Sequence, residues 1–184
     1  MLDTLRHDLR RYVKARKDCP SEITYILQFI PVCLFHEGAL TMIGHRLARW
    51  LAGKNLNLPA WCISKMFFFI TGNYIHHETD IGPGCKISHS SVVIHARRIG
   101  RGFECSANIT IGQKSLYISE FPVIGDYVIV GAGARVLADV GDMVIVGANA
   151  VVIDPVESGS KAAGIPARRV GDSGKFMEYY RSLI

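Results

Sequence analysis

Apolar residues recur along this chain with two different periods, and the change falls near Gly72. Before it the spacing is helical. Leu2, Leu5, Leu9 and Val13 follow one another at three- and four-residue steps, and Pro20 closes that segment. A second helical stretch is predicted from about Glu22 to Phe35. A third runs from about Gly38 to Leu51, with Leu40, Ile43, Leu47 and Trp50 on its apolar face, and a fourth follows Pro59 through Trp61, Met66 and Phe69. Residues 1–72 are therefore read as an N-terminal helical region.

After Gly72 the period becomes six. Ile75, Ile81, Ile87, Val93, Ile99, Cys105 and Ile111 stand six apart, and the register restarts at Ile124, Val130 and Val136 and again at Val146 and Val152. Glycine directly follows several of them, at Gly82, Gly100, Gly112, Gly125, Gly131 and Gly147. Neither a helix nor an alternating strand repeats every six residues. A hexapeptide β-helix does. Each repeat is a short strand and a tight turn, three repeats close a triangular coil, and β-branched side chains fill the narrow prism. The fold class is mainly β: a parallel β-helix over residues 73–171, a small N-terminal α-helical region, and a tail, 172–184, read as helical.

The breaks in register carry their own prediction. Ile111 and Ile124 stand thirteen apart, so the segment from about Gln113 to Val123 should leave the coil as a loop. Val136 and Val146 are ten apart instead of twelve, which pinches one coil around Ala138–Asp142.

Composition narrows the setting. The net charge of +5 is concentrated in residues 1–17, where Arg6, Arg10, Arg11, Lys14, Arg16 and Lys17 face only Asp3 and Asp8. The rest is nearly neutral, so a nucleic-acid partner is not expected and membrane contact would be peripheral at most. The five cysteines, Cys19, Cys33, Cys62, Cys85 and Cys105, form no CxxC pair and read as reduced thiols. The charged, amphipathic start does not read as a secretory signal. The apolar run Ile63–Ile70 is too short to span a bilayer. The expected location is cytoplasmic.

Five short segments carry a family resemblance: Ile75-His76, Ile87-Ser88-His89, Ile109-Thr110-Ile111-Gly112, the turn Gly131-Ala132-Gly133-Ala134, and the closing Ala162-Ala163-Gly164-Ile165-Pro166-Ala167-Arg168. Over about residues 35–171 the chain resembles the serine acetyltransferase-like branch of the hexapeptide O-acetyltransferases. That resemblance implies a left-handed parallel β-helix, acetyl-CoA as co-substrate, and a homotrimer, with a dimer of trimers as a further option. It implies that His89 is the general base that takes the proton of an acceptor hydroxyl. An imidazole that titrates near neutrality suits that role. It also implies that CoA lies between neighbouring solenoids along the small residues Gly131, Ala132, Gly133, Ala134, Gly147, Ala148, Ala163 and Gly164. Arg168, Arg169 and Lys161 would meet its phosphates.

The acceptor side departs from the serine enzymes of that branch. Ser88 stands where an acidic residue usually precedes the base. Phe121 stands where a histidine is expected before the loop proline, and Tyr74 stands where a carboxylate would orient the base. Asp18, Ser88 and Phe121 are the acceptor-binding candidates. These changes favour a sugar of surface-polysaccharide synthesis as acceptor, with L-serine as the alternative and a catalytically inert scaffold as a third reading. A metal reading of His76, His77, His89 and His95 fails on spacing, since residues six apart lie on successive sides of the triangle, and no metal is expected.

Overall fold

The computed structural model describes residues 1–13, 21, 27, 30–32, 34–115, 117 and 120–183. Pro20 and most of the predicted second helix lie outside the described residues. Those that are described between 27 and 35 are helical. Helix α1 spans Leu2–Arg10, α2 Glu37–Ala52 and α3 Asn57–Thr71, where Gly72 ends the helix in a left-handed conformation.

The solenoid begins at Tyr74. On its first face β1 (Tyr74–Ile75), β4 (Val93–Ile94), β7 (Thr110–Ile111), β10 (Arg135–Val136) and β12 (Val151–Val152) stack in parallel. The second face carries β2 (Asp80–Ile81), β5 (Arg98–Ile99) and β8 (Val123–Ile124), continued by single bridges through Val140 and Val156. The third carries β3 (Lys86–Ile87), β6 (Glu104–Cys105), β9 (Ile129–Val130), β11 (Ile145–Val146) and β13 (Ser160–Ala163). An antiparallel strand, β14 (Arg168–Asp172), closes the top, and α4 (Gly174–Leu183) turns back down the solenoid. Among the described residues no helix is long and apolar enough to cross a membrane.

The interior follows the repeat with one slip. Ile75, Ile81, Ile87, Ile99, Cys105, Ile111, Ile124, Val130, Val136, Val146 and Val152 all point inward and are buried. Val93 does not. It is 43% exposed, and Ile94 takes the inward place at 0%. The corner between β3 and β4 holds one residue more than the hexapeptide allows, with Ser91 at φ 65°, and the next step is one shorter. The pinched coil is explained by Val140, which makes its second-face contact through one bridge on each side.

Helix α2 buries the opposite face from the one predicted, and α3 leaves Trp61, Met66 and Phe69 exposed. The buried side of α2 is Gly38, Ala39, Thr41, Met42, Gly44, His45, Arg46 and Ala48, whereas Leu40, Ile43 and Leu47 are only half-buried and Trp50 is exposed. In α3 only Ala60, Ser64 and Thr71 are buried, while Leu58 and Phe69 are 71% and 81% exposed. Close approach selects small residues here. A Cβ on Gly38 would lie 1.8 Å from the Ile87 carbonyl oxygen, and one on Gly44 would lie 2.2 Å from the Phe67 ring. Arg46 anchors the helices by pairing with buried Asp8 at 2.8 Å and donating to the Ile81 and Gly82 carbonyls.

Candidate functional site

Each coil turns from its third face to its first through a short corner, and these corners stack into one edge of the prism. Backbone amides tie them together: Asn108 donates to the Ser90 carbonyl (3.2 Å), Gly133 to Ala107 (2.9 Å), Asn149 to Ala132 (2.8 Å) and Val151 to Gly164 (3.0 Å). Stacking this close explains the small residues. A Cβ on Gly131 would come 2.6 Å from the Ala148 nitrogen, and one on Gly133, at φ 74°, would come 2.1 Å from Asn149 Oδ1. Ala132 and Ala148 lie exposed along this edge, with Ala163 and Gly164 above them and buried Ala134 just inside.

His89 lies exposed at the foot of the same edge, just after β3. The structure therefore places it and the small-residue candidates on one edge of one chain. The strand beneath it is firmly held. The Ile87 N–H donates to the Tyr12 hydroxyl (2.7 Å), which donates in turn to the Ile87 carbonyl (3.2 Å). The Tyr12 ring meets His36 edge-on, centroids 4.6 Å apart. His36 Nδ1 is buried without a hydrogen-bond partner. Burial lowers the pKa of His36, Glu37 opposes that, and the neighbouring charge of Lys86 reinforces it.

Glu104, one coil above Lys86, is the hub of the local charges. Arg11 Nη2 lies 2.6 Å from its carboxylate, the Tyr180 hydroxyl donates at 2.7 Å, Lys86 Nζ lies at 3.4 Å and Ser88 Oγ donates at 3.4 Å. Burial alone would raise the carboxyl pKa. The Tyr180 hydrogen bond with Lys86 and Arg11 outweighs it and holds Glu104 below the usual range. Tyr12, His36 and Glu104 were missed in the sequence. Only the eighteen-residue step from Lys86 to Glu104, one full coil, marks that pair.

The other candidates fall elsewhere. Tyr74 packs its ring against Phe68, with Lys65 Nζ 4.7 Å from the ring centre. Phe121 stacks on His95 at 3.6 Å on the edge between the first and second faces. Ser88 and Phe121 thus occupy different edges of one chain and do not form a single acceptor pocket within it. The reason is topological: Phe121 ends the loop that links a first-face strand to a second-face strand. It lines a cavity of about 240 Å³ with Lys114, Pro122, Asp139 and Pro155. Asp18 lies outside the described residues. Arg168 and Arg169 border a cavity of about 210 Å³ at the closing hairpin. Arg168 pairs with Asp154 at 3.1 Å, and Arg169 pairs with Glu157 at 3.4 Å and with Asp172.

Beside Phe121, burial and the charges of His95 and His77 push His76 down to about 4, and burial lowers His95 as well.

No protein-family model matches the chain. Individual proteins do. It is 32% identical over 178 residues to a serine acetyltransferase of Mycobacterium tuberculosis, which covers 94% of this chain and 75% of the relative. In fold it resembles the Brucella abortus serine acetyltransferase solved with coenzyme A, with a TM-score of 0.80 at 22% identity over 94% of this chain and 68% of that one. The soybean enzyme solved with serine gives a TM-score of 0.77 at 26% identity, over 91% and 68%. These findings overturn the expectation of a sugar acceptor and of a place in polysaccharide synthesis, because the relatives are named for serine. Substitutions at single acceptor positions weigh less than likeness along the whole solenoid. The chain belongs to the serine acetyltransferase family of hexapeptide-repeat acyltransferases.

Proposed function

We propose that this chain transfers the acetyl group of acetyl-CoA to the hydroxyl of L-serine, with His89 as general base. The observation that carries the reading is the likeness to the Mycobacterium tuberculosis serine acetyltransferase along 94% of the chain. The shared edge of His89 and the small-residue corners supports it, because acceptor, thioester and base must meet at one place.

In this reaction the His89 imidazole accepts the hydroxyl proton as the serine oxygen attacks the thioester carbonyl carbon. The tetrahedral intermediate collapses, the C–S bond breaks, and the imidazolium returns the proton to the departing CoA sulfur. The products are O-acetylserine and free CoA, and no covalent enzyme intermediate is needed. The pantetheine arm lies along Gly131–Ala134, Gly147, Ala148, Ala163 and Gly164. Arg168 and Arg169 exchange their carboxylate partners for CoA phosphates, a charge-assisted contact of the same kind. Ser88 flanks the base on the acceptor side, and Asp18 is the remaining acceptor candidate.

The working unit is a homotrimer. Phe121 and His89 lie on different edges of one prism, so they meet only when a neighbouring chain supplies one of them. The outward apolar faces of α2 and α3, with Trp50, Leu58, Trp61 and Phe69 exposed, also favour a partner surface. A cytoplasmic location, where acetyl-CoA is made and used, accompanies this reading. The test is serine-dependent release of CoA thiol from acetyl-CoA, with O-acetylserine identified by mass. Release that is no faster with serine than without it contradicts the proposal.

A further inference from the structure

On the edge between the first and second faces, rings stack from coil to coil. His77 and His76 have centroids 4.7 Å apart, His76 and His95 4.0 Å at an interplanar angle of 10°, and His95 and Phe121 3.6 Å. His76 belongs to the first coil and His95 to the second. Spacing within one coil does not bring them together. They meet because His95 falls one coil plus the extra corner residue later, directly above His76, as the pairing of Ile75 with Ile94 requires. Glu78 completes the group, its carboxylate 3.9 Å from His76 Nδ1.

One nitrogen of His76, one of His95 and one carboxylate oxygen of Glu78 lie within 4.8 Å of one another. We infer that His76, Glu78 and His95 form a binding site for a divalent transition-metal ion of the zinc class. Two imidazoles and one carboxylate are a donor set that zinc accepts, with a fourth position left to water. Nitrogen donors disfavour magnesium and calcium, which take oxygen. Drawing both rings onto one ion requires rotation about the terminal imidazole torsion, which is broad and soft. Glu78 is exposed, so its carboxylate can move to meet the ion.

The ion would tie the first coil to the second, because its ligands come from both. It would therefore bind the folded chain and not the unfolded one, and raise stability with its concentration. Within one chain the site lies on a different edge from His89; Phe121, stacked on His95, is an acceptor candidate, but the acetyl transfer proposed above uses none of the three ligands themselves.

The test uses the full chain, stripped with a chelator and titrated with Zn²⁺ against a chromophoric competitor. Wild type should take up one equivalent per chain, and its thermal midpoint should rise with added zinc. His95→Phe keeps a ring between His76 and Phe121 while removing a ligand, so zinc binding should weaken by more than about tenfold with the zinc-free midpoint little changed. Glu78→Gln, at an exposed side chain, should weaken binding in the same direction without touching the stack. The inference is overturned if wild type takes up no stoichiometric zinc, or if both variants bind it as tightly as wild type.

Discussion

His45 is buried between the helices and the first coil, where the Thr79 backbone only partly offsets the loss of water. Burial drives its pKa down to about 3, and the charges of Arg46 and Arg49 push the same way. The unfolded chain therefore binds a proton between about pH 6.5 and 3 that the folded chain refuses, and stability falls as pH drops through that window. His76, near 4, adds to the same trend. At full slope each group costs about 1.4 kcal/mol per pH unit. Urea unfolding at pH 7 and pH 5 should show wild type losing stability and His45→Leu losing less. A wild-type protein equally stable at both values would refute this account of His45. Asp8 is a second test. It is fully buried against Arg46 and also accepts from the Cys85 N–H at 2.9 Å. Asp8→Ala leaves a buried guanidinium without its counter-ion and should destabilise the fold by about 3–5 kcal/mol in the same assay. None of these partnerships was legible in the sequence, where Asp8 reads as a solvated charge in a basic helix. His89 was legible only through the family resemblance of Ile87-Ser88-His89, since the repeat by itself marks it as no more than a corner residue.

The strands were the most legible elements. Their period of six has no competing explanation, and the inward column matches it at every predicted position except Val93, where a corner residue shifts the register by one. The helices were legible in place but not in orientation. Their amphipathicity suggests that the greasy face meets the chain's own core. Instead α2 lies so close to the first coil that only small residues fit, and Arg46 with Asp8 supplies the polar anchor. This makes Gly38 a sensitive point. Gly38→Ala places a methyl group 1.8 Å from the Ile87 carbonyl oxygen, so α2 must move away from the strand that precedes His89. The expected cost is about 1–3 kcal/mol in a chemical melt, as for other overpacked sites. Turnover should fall with it, since β3 and the Tyr12–Ile87 hydrogen bonds are displaced together. Wild-type stability in that variant would show that the helix tolerates the shift.

Over the whole molecule, the two ends of the chain meet on the solenoid. Arg11, next to α1, and Tyr180 in α4 both reach Glu104. Nothing in the local sequence marks this clasp, because its members are separated by most of the chain and are brought together only by coil stacking and the return of α4. Assembly is the next level. Light scattering on the purified chain should give the mass of three copies, and Trp61→Glu with Phe69→Glu should lower that mass if α3 lies in the contact. A monomer that is fully active in solution would overturn the shared-site reading. The central claim is serine acetylation with His89 as base, and it is tested most directly by comparing wild type with His89→Ala for serine-dependent CoA release at saturating substrates. Wild type should turn over serine to O-acetylserine, and the variant should lose about 10²–10⁴-fold in kcat while still binding acetyl-CoA. A variant as fast as wild type would contradict the account.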